Sequence, residues 1–538
     1  MWRCVELSAS HDLERPGGVS RRGFLAGMGA SAAGVLTLNN IEALAETVEG
    51  PVVTASPDPR FSRIFQLPAF ANPTSTSVKN AMTDIGKVGG LLDARDPLTE
   101  GPVRLITNPE LSPRNVDQNV ADMTAGTTFV GQFLDHDITF DNTSRLGVVT
   151  EPTQTPNTRD TRLDLDSVYG GGPSVSPHLY LSSDPAKFFV SSGGLFEDLP
   201  RFSGSLRAAI ADPRNDENLM IAGLHAGFLL AHNRTVDFRR ANNLPGDVWF
   251  YSRRTVIHHW QWIVVHEFLP QIVGQSLVDD IFRNGRRWYR FTRPSMPVEF
   301  QTGTYRFGHS LVRPSYRANR NGDPNGDPAT GAPAFFGFIF DPAGEGQTDP
   351  VDLRGGARAR RRFIGWETFF DFGGIHTQHV RPNKLIDTNI STPLFRLPLG
   401  AIPSGDAPIS LAQRNLLRHL TWSLPSGQRI ASATGTPILG SSYFPELRTY
   451  GLGLDASTPL WYYILREASV FNGGRRLGPV GGRIVAETII GLLQLDEFSY
   501  LNNGFQPTLP SATPGTFKIT DLLRWARVDP ATRDLVTG

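Results

Sequence analysis

Cysteine is nearly absent from this chain of 538 residues: Cys4 is its single copy. With none after the first few positions, disulfides, thiolate-bound metals, iron–sulfur clusters and cysteine nucleophiles are all excluded. Net charge is also missing. The 52 basic and 52 acidic side chains cancel, so nothing favours a nucleic-acid partner, and 39% hydrophobic residues exclude a disordered chain. Beyond residue 46 no run is long and apolar enough to cross a bilayer. No Ser/Gly-rich or Pro-rich linker separates two patterned halves, and no internal repeat occurs. Chemistry must therefore come from histidine, carboxylates, arginine, tyrosine or a bound cofactor.

The first residues have their own logic. Ser20-Arg21-Arg22-Gly23-Phe24-Leu25 opens a mildly apolar run that continues to about Leu38, and Ala43-Leu44-Ala45 offers a small-residue cleavage site. Twin arginines in this layout resemble a twin-arginine export signal. The run is shorter than the ~20 residues a membrane anchor needs. The expectation is a signal over 1–45, one large domain over 46–538, and export to the periplasm or the medium.

Helical periodicity dominates the rest of the chain. Apolar residues recur every three to four positions over 218–242, 247–273, 412–420 and 482–493. Turn-rich connectors such as 319–333 and 510–516 separate such segments. Alternating strands are few, which gives a mainly α fold with long irregular loops.

Five fragments hold the polar groups of interest. In GQFLDHDITFD (131–141), a helix over 128–140 puts Gln132 and His136 on one face, with Asp135 and Asp137 about 100° to either side. Each of the three groups therefore faces a different environment. In RDTRLDLDSVYGGG, Asp164 and Asp166 alternate, so both carboxylates point one way, as a hard cation such as Ca²⁺ requires. Alone, such a run is more often a solvated loop. Arg214 and Glu217 stand three apart at a helix start, where an ordinary surface ion pair is the simpler reading. His309 follows a glycine that allows close approach of a flat ligand, with Arg306 three residues earlier, and Asn415 and Arg418 repeat that spacing. By contrast, His225, His232, His258, His259 and His266 lack a metal-ligand pattern and read as scaffold, and the cluster from Arg358 to Arg362 reads as a solvated loop.

In this order the fragments resemble the animal-type haem peroxidases, the peroxidase-cyclooxygenase superfamily, in particular its bacterial and peroxinectin-like members. The likeness extends from RFSRIFQLPAF (60–70) to LGPVGGRIVAETIIGLL (477–493). It implies a haem b-derived group with His309 as proximal iron ligand and His136 as distal base, beside Gln132 and a catalytic Arg214. Asp135 and Glu217 become ester links to the haem, and Asn415 the acceptor of the proximal histidine's other N–H. Arg306 and Arg418 match arginines near the propionates. Asn218 stands where some relatives have a methionine bonded to haem, so that link is not expected. A Ca²⁺ site is implied at Asp137, Asp160, Arg162 (through its carbonyl), Asp164 and Asp166, although Asp160 and Asp166 replace the family's usual Thr and Ser.

The implied activity is reduction of hydrogen peroxide at the haem and oxidation of a small donor such as a halide, thiocyanate or a phenol. Two alternatives remain. A cyclooxygenase-type fatty-acid dioxygenase would carry a tyrosine three residues before the proximal histidine, where this chain has Arg306, with Tyr305 one step further off. An exported adhesion protein without turnover would not need every reactive position filled.

Overall fold

The computed structural model describes residues 58–533 except 116, 119–122, 193–195, 321–333, 357–358 and 403–404. The export signal, Cys4, Arg358 and most of the 319–333 connector lie outside the described residues. Helices dominate the remainder. Two of them, α1 (Thr76–Ile85) and α2 (Gly101–Thr107), precede α3 (Ala125–Ile138), which carries Gln132 and His136. Every residue of α3 except Gly131 and Gln132 is buried, as a helix apolar on most of its circumference must be.

What holds α3 is aromatic. Phe133 stacks on Phe228 with centroids 4.8 Å apart and meets Trp260 edge-on at 5.7 Å. Those rings come from α5 (Leu219–Ala241) and α6 (Val248–Ile263), with the short α4 (Asp166–Tyr169) packed beside them. A buried phenylalanine stabilises by roughly 1.5–3 kcal/mol, and favourable ring geometry adds about 0.5–1.5 kcal/mol. The sequence announces both long helices through their caps: Asn218 accepts from the Ile221 N–H at 3.1 Å and Asp247 from that of Phe250 at 2.7 Å.

The single helix expected over 247–273 is interrupted. A π turn over Val264–Phe268 separates α6 from α7 (Leu269–Val273), because Pro270 has no N–H to donate and its ring displaces the carbonyl one turn earlier. Helix α8 (Gln275–Asn284) follows. A second π segment, Glu299–Thr304, tightens to a 3₁₀ turn at Tyr305–Phe307 and then to α9 (Gly308–Leu311), which bears His309. Buried Glu299 anchors this winding by accepting the N–H groups of Ile64 and Phe65 at 3.1 and 3.0 Å.

Helices α10 (Leu411–Thr421), α11 (Gly427–Thr434), α12 (Leu460–Asn472), α13 (Pro479–Leu495) and α14 (Ile519–Trp525) complete the helical set. Among the described residues, strands form only two-stranded pairs, the longest joining Ser315–Asn319 to Phe335–Phe338 antiparallel. One hydrophobic core runs from Phe61 to Val528. No described helix is long and apolar enough to cross a membrane.

One expectation needs correction. Arg362 is not in a solvated loop: it is buried, donating from Nη1 to the carbonyls of Pro350 and Asp352 at 2.6 and 2.9 Å and from Nη2 to that of Arg354. Carbonyls that no helix or strand satisfies are paired by this guanidinium instead.

Candidate active site

A cavity of about 510 Å³ lies between α3, the 214–218 segment, residues 301–309 and α10, and both His136 and His309 line it. Helix α3 presents Gln132, Asp135 and His136 to it. The His136 ring is held by Asn215, whose Oδ1 lies 2.9 Å from Nδ1. Burial, with Arg214 nearby, lowers the His136 pKa to about 4, so the ring is neutral at pH 7.

His136 Nε2 stands 3.9 Å from Glu217 Oε1. Gln132 donates to that same oxygen and accepts from Asn218 Nδ2 at 3.3 Å. Burial pushes the Glu217 carboxyl up to about 8, against the pull of Arg214. Asp135 has one buried oxygen, Oδ1, with no hydrogen-bond partner in the protein, while its Oδ2 lies 3.5 Å from Arg306 Nη1.

Arg214 is bound tightly. Nε and Nη2 grip Asp212 at 3.1 and 2.7 Å, Nη1 donates to the Thr139 carbonyl at 2.8 Å, and Nη2 to that of His136 at 3.1 Å. Four of the five guanidinium N–H groups are thus engaged, and the face of Phe140 lies 4.2 Å away. The side chain caps the C-terminal carbonyls of α3, where a cation is favoured, and leaves one N–H for the cavity. Burial opposes ionisation of Asp212, yet Arg214, His136 and Arg159 together hold its pKa well below the usual carboxylate range.

Also in the cavity lining, burial and then Arg306 bring the His309 pKa down to about 3. Asn415 places its amide 2.6 Å from His309 Nδ1. The nitrogen end faces the ring here; the two ends have the same shape, and a half-turn brings an accepting oxygen to Nδ1. Trp461 meets the His309 ring edge-on at 6.4 Å and donates to the Arg306 carbonyl at 3.0 Å. Arg306 donates to the Gln301 carbonyl at 2.7 Å, and Arg418 pairs with Asp141 at 2.9 Å. Both arginines line the cavity. A Cβ on Gly308 would meet nothing within 4 Å, so this glycine leaves open space beside the ring.

Behind α3, carboxylate oxygens of Asp137, Asp164 and Asp166 lie within 4.8 Å of one another. Burial raises all three pKa values, Asp166 to about 7, and carboxylate repulsion adds to this, from Asp166 and Asp164 on Asp137, from Asp160 on Asp164, and from Asp164 on Asp166. Asp137 Oδ1 is buried without a partner. The oxygens converge through a left-handed turn at Leu165 (φ 57°) rather than by the alternation expected of a strand. The Asp160 carboxylate is not among these oxygens and closes instead on the Arg162 side chain at 2.5 Å.

A family model described as animal haem peroxidase matches residues 143–336, which include Asp164, Asp166, Arg214, Glu217 and His309. The chain is 24% identical over 378 residues to a peroxidasin homolog of Caenorhabditis briggsae, covering 64% of this chain and 27% of that protein. It is 29% identical over 310 residues to heme peroxidase 2 of Caenorhabditis elegans, covering 54% and 39%. Over residues 143–336 the chain is similar to the animal haem peroxidases.

The matched stretches span only 27% and 39% of the length of those two proteins. The fold of this chain resembles peroxidase A from Dictyostelium discoideum, with TM-score 0.58 at 16% identity over 86% of this chain and 92% of that one. A fatty acid alpha-dioxygenase of Oryza sativa shares the fold at TM-score 0.52 and 14% identity, over 76% and 73%.

The residues present fit a haem. Two neutral imidazoles line one cavity, Asp135 offers a buried oxygen with no hydrogen-bond partner in the protein, and Gly308 leaves space beside the His309 ring. Sequence reasoning passed over Asp212, Asn215 and Trp461. Asp212-Pro213 has the form of a helix N-cap followed by proline, and that signal could have led to Asp212. Asn215 and Trp461 gave none.

Proposed function

We propose that this protein is a haem-dependent peroxidase that reduces hydrogen peroxide and oxidises a small donor. The observation that carries this is the pair of neutral imidazoles lining one cavity, each held at Nδ1 by an asparagine. His309 would bind the iron through Nε2, and Asn415 would orient its ring and tune its basicity. Asp135 and Glu217 would anchor the haem rim through esters, with Arg306 and Arg418 toward the propionates.

Haem iron, when bound, supplies the electrons that cleave the O–O bond and regains them from the donor. His136 Nε2 takes a proton from peroxide and returns it to the departing oxygen. The remaining Arg214 N–H donates to that oxygen as charge develops, a role typically worth ~3–4 kcal/mol. Gln132, bonded to Glu217 and Asn218, orders the cavity beside His136. Calcium at Asp137, Asp164 and Asp166 would tie the C-terminal end of α3 to the 164–169 segment and so position His136. Export through a signal in residues 1–45 rests on the twin arginines.

Tyr305 weighs against the dioxygenase reading. It lines the cavity, but its hydroxyl donates to the Gly131 carbonyl at 3.0 Å, with the ring stacked on Phe300 at 4.5 Å. Haem-reconstituted protein should turn over peroxide with phenolic or halide donors and lose this in His136→Ala. Rapid oxygen uptake with unsaturated fatty acid and no reducing donor would overturn the reading in favour of a dioxygenase. A chain that takes up no haem would favour an adhesion role.

A further inference from the structure

We propose that Asn215 is a positioning residue that decides which ring nitrogen of His136 carries the proton, its own amide being oriented by His225 and the Ser167 carbonyl. For its catalytic consequence this rests on the reading of His136 as the peroxide base. The proton's location is a separate matter that can be measured without haem.

Asn215, Ser167, His225 and His136 are 0%, 0%, 1% and 4% exposed, so water cannot rearrange their hydrogen bonds. Asn215 Oδ1 lies 2.9 Å from His136 Nδ1, while Nδ2 lies 3.0 Å from His225 Nδ1 and 3.5 Å from the Ser167 carbonyl. Only two arrangements of the amide are possible. With oxygen toward His136, the His136 Nδ1–H donates, and the amide nitrogen donates to His225 and, at longer range, toward Ser167. With the amide reversed, its oxygen would face the Ser167 carbonyl, acceptor against acceptor, and His136 would be forced to carry its proton on Nε2.

The first arrangement gives both ends of the Asn215 amide a partner. It leaves the His136 Nε2 lone pair directed away from Asn215, which a base for peroxide requires. The reversed arrangement puts a proton where the lone pair is needed. The scaffold around Asn215 is rigid: it sits in the 3₁₀ turn Pro213–Asp216, and its N–H donates to the Asp212 carbonyl at 3.0 Å. Ser167 directly follows Asp166, so the carboxylate cluster behind α3 and the base in front of it share one short segment of chain.

The test compares Asn215→Asp, which still accepts from His136 Nδ1–H, with Asn215→Leu, which cannot. In haem-free full-length chain with ring-labelled histidine, the infrared ring stretch, differenced against His136→Ala, reports the tautomer. Wild type and Asn215→Asp should show the Nδ1–H form, and Asn215→Leu should gain the Nε2–H form. In haem-reconstituted protein, cyanide association should slow in Asn215→Leu by on the order of a hundredfold and stay near wild type in Asn215→Asp. If Asn215→Leu does not fold, His225→Phe, which removes one anchor of the amide, should give a mixed tautomer population. An unchanged tautomer in Asn215→Leu or, where that variant does not fold, in His225→Phe would overturn the proposal, as would loss of the Nδ1–H form in Asn215→Asp. If wild type instead takes up no haem or ignores peroxide, the peroxidase reading fails while the infrared result still decides the role of Asn215.

Discussion

Replacing Arg214 by methionine should damage the protein more as a structure than as a catalyst. Asp212 is fully buried and the Arg214 guanidinium grips it at 3.1 and 2.7 Å. Removal would leave that carboxylate with Arg159, 3.1 Å away, as its one remaining ion pair. The carbonyls of His136 and Thr139 would lose their donor as well. Breaking a buried pair from one side costs about 3–5 kcal/mol, so Arg214→Met should lower unfolding free energy by that amount in urea titrations of haem-free chain. Asp212→Asn in the same background should recover at least about 1–2 kcal/mol, because the uncompensated charge is then gone. The sign with pH is set by Asp212: its pKa in the fold is lowered from 3.8. The stability it contributes is therefore full above pH 4 and lost as pH falls below it, and the deficit of Arg214→Met should shrink in acid. Strict additivity of the two substitutions, or a loss below about 1 kcal/mol, would refute the reasoning and return Arg214 to a purely catalytic role.

Chelation followed by Ca²⁺ titration should raise the melting temperature of wild type but not of an Asp164→Asn/Asp166→Asn variant; equal response in both would contradict the cation site. Glu217→Gln should stabilise haem-free protein increasingly as pH rises from about 5 to 8, since a carboxyl pushed up to about 8 opposes folding once its unfolded form ionises. Urea titrations across that range check this, and a pH-independent difference would refute it. Tyr305→Phe should cost about 1 kcal/mol through the lost bond to Gly131 and leave peroxide turnover intact. Abolished turnover in that variant would revive a tyrosine-based mechanism.

Helices were legible where caps and periodicity coincide. Asn218 and Asp247 mark helix starts by side chains that accept N–H groups three residues on, and α5 and α10 lie within a residue or two of their expected spans. The π turn at 264–268 was not legible, since its apolar spacing continues through Pro270 and only the backbone reveals the break. Among site residues, the haem-side candidates from Gln132 to Arg418 line one cavity, while Asp137, Asp164 and Asp166 gather behind α3. The function of Arg214 as a cap for α3 could not be read, because its partners are backbone carbonyls far along the chain. The ion pair of Asp160 could not be read for a related reason. Spacing alone does not show that Arg162 turns back to bind it.

The most direct measurement is haem titration of the full chain with His309→Ala and His136→Ala beside wild type. Wild type and His136→Ala should each bind one equivalent with the ferrous spectrum of a histidine-ligated haem, whereas His309→Ala should lose that spectrum and regain it when imidazole is added. A His309→Ala protein whose spectrum matches wild type would contradict the account, because the iron would then be held by some other residue.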